Sequence, residues 1–342
     1  MESEVYNQSG SLILRTAYLY YLKGKTQQEI ANVLNVSVPT VSRLVKKAKD
    51  EKVVEFVIRD PYIQSIEMEE KLKQVFKLRD VIVAPTPFLP LHGKTMQGFE
   101  GNARRAVALE GARYVQRIIG DHDILGVSWG KTIHALIHFL NPCRKINAGF
   151  VTMHGSIVGC NPDMDVRALV ARMSMAFGGR NYSLLTEGFV STGEILEIIR
   201  TEVNVNRVFE MFDRITISLA GVGAFYPERE SMLYETGYYI SESDLKDLRS
   251  KDLMGDILLR FFDSQGNECD SLFKERTLGI DLETYKKIKT KVVLAADRKK
   301  SNAVLGIIKG GLADVLIADY SLANTLLELN SNNSLKGMRK GE

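Results

Sequence analysis

Residues 26–52 read TQQEIANVLNVSVPTVSRLVKKAKDEK and predict two short helices joined by a tight turn. Thr26, followed three residues later by Glu29, forms a capping box, a pattern that begins a helix. Ser37 can cap the second helix through its hydroxyl. Pro39 suits the first turn of that helix, because a backbone N–H there would have no intrahelical acceptor. The stretch therefore predicts a helix-turn-helix.

The second helix of this motif has an apolar face and a polar, basic face. Its apolar residues, Val41, Leu44, Val45 and Ala48, recur at helical spacing and are expected to be buried. A recognition helix reaches base edges with side chains near its N-terminus and meets phosphates with cations. An ordinary helical hairpin with a solvated basic face is the alternative. The residues predicted to contact DNA are Thr26, Gln27, Gln28, Ser37, Pro39, Thr40, Ser42, Arg43, Lys46 and Lys47.

The length and charge of the chain limit its class. It has 342 residues, which allows two domains, and its formal net charge is only +3. Residues 36–52 hold five Lys or Arg against two acidic residues, a local excess of three positive charges. The basic charge is therefore concentrated where a DNA-binding helix needs it.

The sequence also argues against a membrane segment and against a metal site. It has no run of about 18 apolar residues, and its N-terminus is polar and acidic, unlike a signal peptide. The three cysteines are far apart and odd in number, which suits a reducing compartment. His134 and His138 have a spacing that can bind metal, but no third ligand is evident. We expect a cytoplasmic protein without a cofactor or metal ion.

The sequence predicts four parts. Residues 1–60 form the helix-turn-helix unit, which includes a helix over residues 11–23 and a strand over residues 53–58 that would make it winged-helix-like. Residues 61–78 form a polar linker helix whose incomplete apolar stripe suits a second subunit or the larger domain. Residues 79–330 form an effector-binding and oligomerisation domain, and residues 331–342 form a flexible tail.

Residues 79–330 alternate short apolar strands with helical stretches. Strands are predicted to begin near residues 80, 123, 146, 214, 256, 291 and 313. Several of these strands are apolar on both faces, as strands of a parallel, doubly wound α/β sheet are. Ligands of such sheets bind at the carboxyl ends of the strands.

The sequence GVSWGKT at residues 126–132 follows one predicted strand and begins a helix. The hydroxyls of Ser128 and Thr132, together with backbone N–H groups, can bind an anion there. A nucleotide-binding P-loop needs four residues between its first glycine and Gly-Lys-Thr, whereas Gly126 leaves three. A sugar-phosphate site is therefore favoured over a P-loop, and a tight turn without a ligand stays as an alternative. Trp129 could serve only in packing.

Other strand ends offer further candidate residues, each with a simpler alternative. Gly221 and Gly223 could form only a turn. Asp256 could accept hydrogen bonds from sugar hydroxyls or cap a turn. Lys300 could meet a phosphate or belong to a solvated loop, and His154 follows another predicted strand. No nucleophile, base and acid can be assembled into a catalytic set.

These motifs together resemble the SorC family of bacterial sugar-responsive transcriptional regulators. The resemblance covers residues 11–328 and rests on five motifs in order: TVSRLVKKA (40–48), GVSWGKT (126–132), GVG (221–223), GDILLRFFD (255–263) and GGLADVLIAD (310–319). It implies an effector domain related to ribose-phosphate isomerases and glucosamine-phosphate deaminases, but without turnover. It also implies a phosphorylated sugar as the effector and a homotetramer.

The resemblance also implies the residues of the effector site. They are Ser128, Trp129, Gly130, Lys131, Thr132, His154, Gly221, Gly223, Asp256 and Lys300. Many members of the family have two glycines where this chain has Ala296 and Asp297. These side chains are expected to narrow the pocket and to add a negative charge near it, so the sugar could differ or be less anionic.

The mechanism expected from the sequence is a two-state switch. A tetramer binds operator DNA through its helix-turn-helix units, and a sugar or sugar phosphate changes the relative orientation of its subunits. Whether the ligand releases or strengthens DNA binding is open. Three alternatives remain: a sugar-phosphate isomerase or deaminase with a DNA-binding head, a sensor of unphosphorylated sugar, and an oligomerisation scaffold that binds no small molecule.

Overall fold

The computed structural model describes residues 3–54, 62–85 and 96–338. The chain divides into two compact units, Met1–Asp60 and Pro61–Glu342. Within the described residues, no helix combines the length and the apolar character needed to span a bilayer.

The first unit is helical. Its elements are α1 (Ser3–Ala17), a π-helical turn (Tyr18–Leu22), α2 (Gln27–Leu34) and α3 (Val38–Asp50). Ile30 of α2 packs against Val41 and Val45 of α3, which confirms the expected inward face of the second helix. Val53 and Val54 lie in a bend, and the rest of the predicted strand lies outside the described residues.

The two caps predicted for the helix-turn-helix are present. The backbone N–H of Thr26 donates to the Glu29 carboxylate at 2.7 Å, while the Glu29 N–H donates to the Thr26 hydroxyl at 3.3 Å. The Ser37 hydroxyl accepts from the Thr40 N–H at 3.3 Å. Asn35 takes a left-handed conformation (φ 50°) that turns the chain between the helices. The capping box and the turn are thus confirmed.

The second unit alternates strands and helices along the chain. The first half contains α4 (Tyr62–Phe76), β1 (Asp80–Ala84), α5 (Met96–Ile118), β2 (Ile124–Val127), α6 (Lys131–Ile137), β3 (Gly149–Thr152), α7 (Val166–Phe177), β4 (Arg180–Tyr182), α8 (Gly193–Thr201) and α9 (Val203–Phe212). The second half contains β5 (Ile217–Gly221), β6 (Gly223–Ala224), α10 (Met232–Glu235), α11 (Glu242–Ser250), β7 (Leu253–Ile257), β8 (Arg260–Asp263), α12 (Leu272–Arg276), α13 (Leu282–Lys286), β9 (Thr290–Ala295), α14 (Ser301–Lys309), β10 (Val315–Asp319) and α15 (Tyr320–Met338).

Seven strands form one sheet in the order β1-β10-β9-β5-β2-β3-β4, and every neighbouring pair is parallel. Every residue of β3 and β10 is buried, as expected of strands covered on both faces. The predicted parallel, doubly wound α/β domain is confirmed. A smaller antiparallel sheet, β6-β7-β8, lies beside it.

The predicted strand that begins at Asp256 is wrong, because the sequence DILLRFF folds into a hairpin. Asp256 lies inside β7, and the chain turns back at Leu258 and Leu259, which both have positive φ (57° and 65°). Two-residue turns of this kind usually carry Asn, Asp or Gly. Here the turn residues are two buried leucines, so the sequence is a continuous apolar run and predicts a single strand.

The polar linker helix predicted over residues 61–78 is α4. Its buried residues Met68 and Leu72 pack in one core with Val81 and Val83 of β1, which is the second of the two packings left open by the sequence. The expected flexible tail is helical as far as Met338, because α15 continues through it. Extending a helix that is already nucleated needs little additional free energy.

Candidate functional site

A cleft opens where β2, β5 and β9 end, beside the β7–β8 hairpin. The cleft is partly open to solvent, and charged and polar groups from several strand ends line it. Of the ten residues expected to bind the effector, all but His154 line this cleft. They are Ser128, Trp129, Gly130, Lys131, Thr132, Gly221, Gly223, Asp256 and Lys300.

The loop between β2 and α6 is held in place by hydrogen bonds to neighbouring strand ends. The Ser128 hydroxyl donates to the Trp129 carbonyl at 3.1 Å and accepts from the Gly221 N–H at 3.3 Å. Gly130 is the N-cap of α6, and no side chain caps the helix there. The first N–H groups of α6, at the residues Lys131 and Thr132 that line the cleft, thus have no intrahelical acceptor.

His154 supports the loop and does not line the cleft, which corrects its expected role. Its side chain is fully buried, and its Nε2 lies 3.1 Å from the Trp129 backbone nitrogen. Its Nδ1 lies 2.8 Å from the Gly155 carbonyl oxygen. The ring therefore donates from Nδ1 and accepts at Nε2, the pattern of a neutral tautomer. Burial lowers the pKa of His154 to about 4, in agreement with this assignment.

Asp256 is the buried carboxylate of the cleft. Its Oδ1 accepts from the Ser231 hydroxyl at 2.5 Å. Burial raises the pKa of Asp256 to about 6, although the Ser231 hydrogen bond and the charge of Lys300 act in the opposite direction. Near neutral pH the group is thus a desolvated acceptor for hydroxyl groups. Ser231 had no distinguishing signal in the sequence, because the loop that carries it is remote from every motif.

The opposite pKa shifts of His154 and Asp256 predict how stability depends on pH. His154 has a lowered pKa, so its contribution is complete above pH 6.5 and is lost as the pH falls towards 4. Asp256 has a raised pKa, so its contribution is complete below pH 3.8 and is lost as the pH rises through 6. The two effects oppose each other within the same pH window.

We therefore expect Asp256→Asn to lose stability more steeply on acidification from pH 7 to pH 4.5 than the unmodified protein. The asparagine oxygen can still accept from Ser231, so the variant is matched in shape. The extra loss should be about 1–3 kcal/mol, and urea melts at both pH values would measure it. If the free energy of unfolding changed with pH equally in the two proteins, ionising Asp256 would not cost any folding stability.

Three cations line the cleft, and one of them had not been predicted from the sequence. Lys131 forms an ion pair with Glu235, at 2.6 and 3.0 Å. Lys300 donates to the Val222 carbonyl at 2.9 Å, and desolvation lowers the pKa of its ammonium group. The third is Arg104 of α5, which makes no ion pair or hydrogen bond within the described parts of the chain. Nothing in its local sequence distinguishes it from Arg105.

Asp297 does not line the cleft, so the expectation that it narrows the pocket is wrong. Its carboxylate accepts from the Lys299 N–H at 3.0 Å and caps the short 3-10 turn Arg298–Lys300. Its own N–H donates to the Asp319 carboxylate at 2.8 Å. The φ of 87° at this position favours glycine. Where many members of the family have glycine, Asp297 therefore caps the 3-10 turn, and its carboxylate is not part of the cleft lining.

His134 and His138 are close, with ring centroids 4.6 Å apart, and the His138 Nδ1 lies 2.9 Å from the His134 carbonyl oxygen. Among residues 3–54, 62–85 and 96–338, no group of three metal-ligating side chains comes together.

The outward face of α3 is basic and exposed, as the sequence predicted. Ser42, Arg43, Lys46 and Lys47 are all exposed, and Lys47 forms an ion pair with Glu51 at 3.4 Å. Gln28 and Pro39 are also exposed, whereas Gln27 is half-buried. Thr26, Ser37 and Thr40 serve the helix caps, and the Ser37 and Thr40 hydroxyls lie 2.8 Å apart.

Comparisons with known proteins cover both units. A family model described as a putative sugar-binding domain matches residues 60–328, which include the sheet and the cleft. A model of sigma-70 region 4 matches residues 13–50, which include the helix-turn-helix. The full-length sorbitol operon regulator SorC from Klebsiella pneumoniae has a TM-score of 0.70 and 25% identity, over 93% of this chain and 98% of that structure. The chain belongs to the SorC family.

Curated relatives of this SorC-family chain are regulators. The deoxyribonucleoside regulator of Bacillus subtilis is 29% identical over 92% of this chain and 97% of its own length. The erythritol catabolism regulatory protein EryD of Brucella abortus is 26% identical over 93% of this chain and 96% of its own length. The chain is a transcriptional regulator with a helix-turn-helix and a sugar-binding domain, which confirms the resemblance found in its motifs.

Proposed function

We propose that this regulator binds the operator of a carbohydrate-utilisation operon, and that a phosphorylated sugar in the cleft switches its binding. The observation that carries the proposal is the set of charged groups lining the cleft. Arg104 and Lys131 also border a neighbouring cleft with His134, so they share one side of the site. The Asp256 carboxylate pairs instead with Ser231 and feels the charge of Lys300.

This arrangement suits a molecule with one anionic group and several hydroxyls. The guanidinium of Arg104 can bind a phosphate with two parallel hydrogen bonds. The N–H groups at the start of α6, which no side chain caps, and the Thr132 hydroxyl add further donors. The Asp256 carboxylate then accepts from sugar hydroxyls, and the two lysines balance the charge. The groups can bind the ligand firmly without any step of catalysis, so we propose a sensor and no turnover.

The relatives narrow the choice of ligands to test. Their names concern a deoxyribonucleoside, sorbitol and erythritol. We propose a ligand from the same chemical range, a pentose, hexitol or tetritol or its phosphate. We also propose that the protein acts in the cytoplasm as a homo-oligomer, because paired helix-turn-helix units reading half-sites on DNA require at least a dimer. The resemblance to the SorC family favours a tetramer.

A thermal-shift screen of the purified full chain against such sugars, polyols and their phosphates would test the proposal. A ligand present at 100 times its dissociation constant should stabilise the fold by about 2.7 kcal/mol. The ligand found should also change the affinity for operator DNA in a gel-shift assay, and it should be recovered chemically unchanged. A screen without any shift would contradict the sensor, and a consumed ligand would indicate an enzyme.

Arg104→Met should weaken binding of the phosphorylated ligand about 10- to 150-fold, since hydrogen bonds to charged groups contribute about 1.5–3 kcal/mol. Binding of the corresponding unphosphorylated sugar should not change. Arg105→Met is the matched control, because Arg105 stacks on the Phe139 ring at 5.3 Å and does not line this cleft. Isothermal titration would measure both variants. Equal losses for the two sugars would mean that Arg104 does not contact the phosphate.

A further inference from the structure

A short acidic segment covers one side of the cleft. Residues 226–240, which we call the cover segment, include α10 and contribute Glu230 and Glu235 to the cleft lining. Glu228 and Glu230 reach Lys299 at 3.2 and 3.8 Å, while Glu235 holds Lys131 through both carboxylate oxygens. The cover segment is therefore attached by carboxylates to lysines on loops that follow β2 and β9.

The cover segment also has apolar anchors, because Ile240 is buried and Met232, Tyr234 and Tyr239 pack against the core. Leu233 is its deeply buried side chain, and the Ser231 hydroxyl reaches Asp256. Tyr226 and Tyr238, near its two ends, are 53% and 68% exposed. Glu235 is likewise an exposed residue, so its side chain can leave Lys131 without disturbing the buried side chains of the segment.

The Lys131–Glu235 ion pair lies in the lining of the cleft, so Glu235 uses a cation that would otherwise face an anionic ligand. Lys131 lies in the predicted phosphate loop, and the pair distances of 2.6 and 3.0 Å are those of a charge-assisted hydrogen bond. Both side chains are partly exposed, at 38% and 48%, so the pair is weak and exchangeable. A phosphate oxygen on Lys131 and the Glu235 carboxylate would repel each other.

We propose that Glu235 is an internal substitute for the anionic group of the effector and determines specificity for phosphorylated ligands. In the ligand-free protein its carboxylate satisfies Lys131. A phosphate displaces it from Lys131, whereas an uncharged sugar offers Lys131 no replacement charge and leaves the pair intact. Binding of the correct ligand thus frees the Glu235 side chain. This inference rests on the proposed function of the cleft.

The test uses inorganic phosphate as the probe and the fluorescence of Trp129, the one tryptophan of the chain, as the signal. Trp129 lines the cleft two residues before Lys131, so its emission reports on this loop. Glu235→Gln should bind phosphate about two- to fivefold more tightly than the unmodified protein, the range expected for removing an exposed ion pair. The gain should disappear when Lys131→Met is also present.

Glu228→Gln is the matched control. It removes the same charge from the same segment, but Glu228 pairs with Lys299 and does not line the cleft. Equal gains in phosphate affinity for Glu228→Gln and Glu235→Gln would overturn the inference, because the lower negative charge of the segment would then explain both. Unchanged affinity in Glu235→Gln would overturn it as well. The sugar screen tests the proposed function separately. That function stands if a sugar phosphate stabilises the unmodified protein, whatever the result for Glu235→Gln.

Discussion

Replacing Gly223 with alanine should abolish the response to the effector while the fold survives. The new Cβ would overlap Oδ1 of Asp256 and lie 2.8 Å from Oγ of Ser231. Neither group can move away easily, because both are buried and bonded to each other. We expect a loss of about 1–3 kcal/mol in unfolding free energy, as for other overpacked sites, and no thermal shift with the effector.

Gly221→Ala is the control for this prediction, because its Cβ would meet only the Trp129 carbonyl oxygen at 3.9 Å. That distance is ordinary van der Waals contact, so stability should stay within about 0.5 kcal/mol of the unmodified protein. Urea melts and effector titrations of both variants make the comparison. A normal effector response in Gly223→Ala would mean that the Asp256 carboxylate is dispensable for binding.

Arg43→Ala should weaken binding to the operator by about 1–3 kcal/mol, roughly 5- to 150-fold, without affecting the melting temperature. Arg43 is exposed near the middle of α3 and has no ion-pair partner among the described residues. A guanidinium in this position can bind a guanine edge with two hydrogen bonds. The loss should therefore be confined to the specific sequence, and affinity for random DNA should change little.

Lys47→Ala provides the comparison, since Lys47 is predicted to touch phosphate and is partly neutralised by Glu51. It should weaken specific and random DNA alike and reduce the salt dependence of binding. The operator can first be selected from a random DNA library with the full chain. Fluorescence anisotropy at several salt concentrations would then separate the two residues. Equal loss on both kinds of DNA in Arg43→Ala would contradict its role in reading bases.

Local signals predicted the helix-turn-helix well, because its caps act over three residues. Thr26 with Glu29 and Ser37 before Pro39 determine where the helices begin without help from distant residues. The parallel sheet was also predictable, since strands covered on both faces have continuous apolar sequences. The hairpin turn at Leu258 was not, because the residues there have none of the usual turn chemistry and are held by burial.

Eight of the ten candidate effector residues meet at one cleft because parallel strands bring their carboxyl ends to the same edge, and Asp256 joins them from the antiparallel hairpin. The remaining features depend on tertiary contacts that a strand pattern does not contain. Arg104 comes from the side of α5, Ser231 and Glu235 come from the cover segment, and His154 turns inward to hold the Trp129 backbone. Each of these residue types is common in loops and helices, so its role emerges only from its neighbours in space.

The pairing of β1 with β10 has a consequence for protein synthesis. β1 is an edge strand whose neighbour in the described sheet is β10, and Asp80 is in register with Val315. β1 therefore has no partner until nearly the whole chain has left the ribosome, whereas the core residues of the first unit lie before residue 50. A chain that is cut short before Val315 retains the whole helix-turn-helix but cannot complete the sensor sheet. We expect such truncated products to bind operator DNA poorly as well, because the unit that they cannot complete is the one predicted to oligomerise.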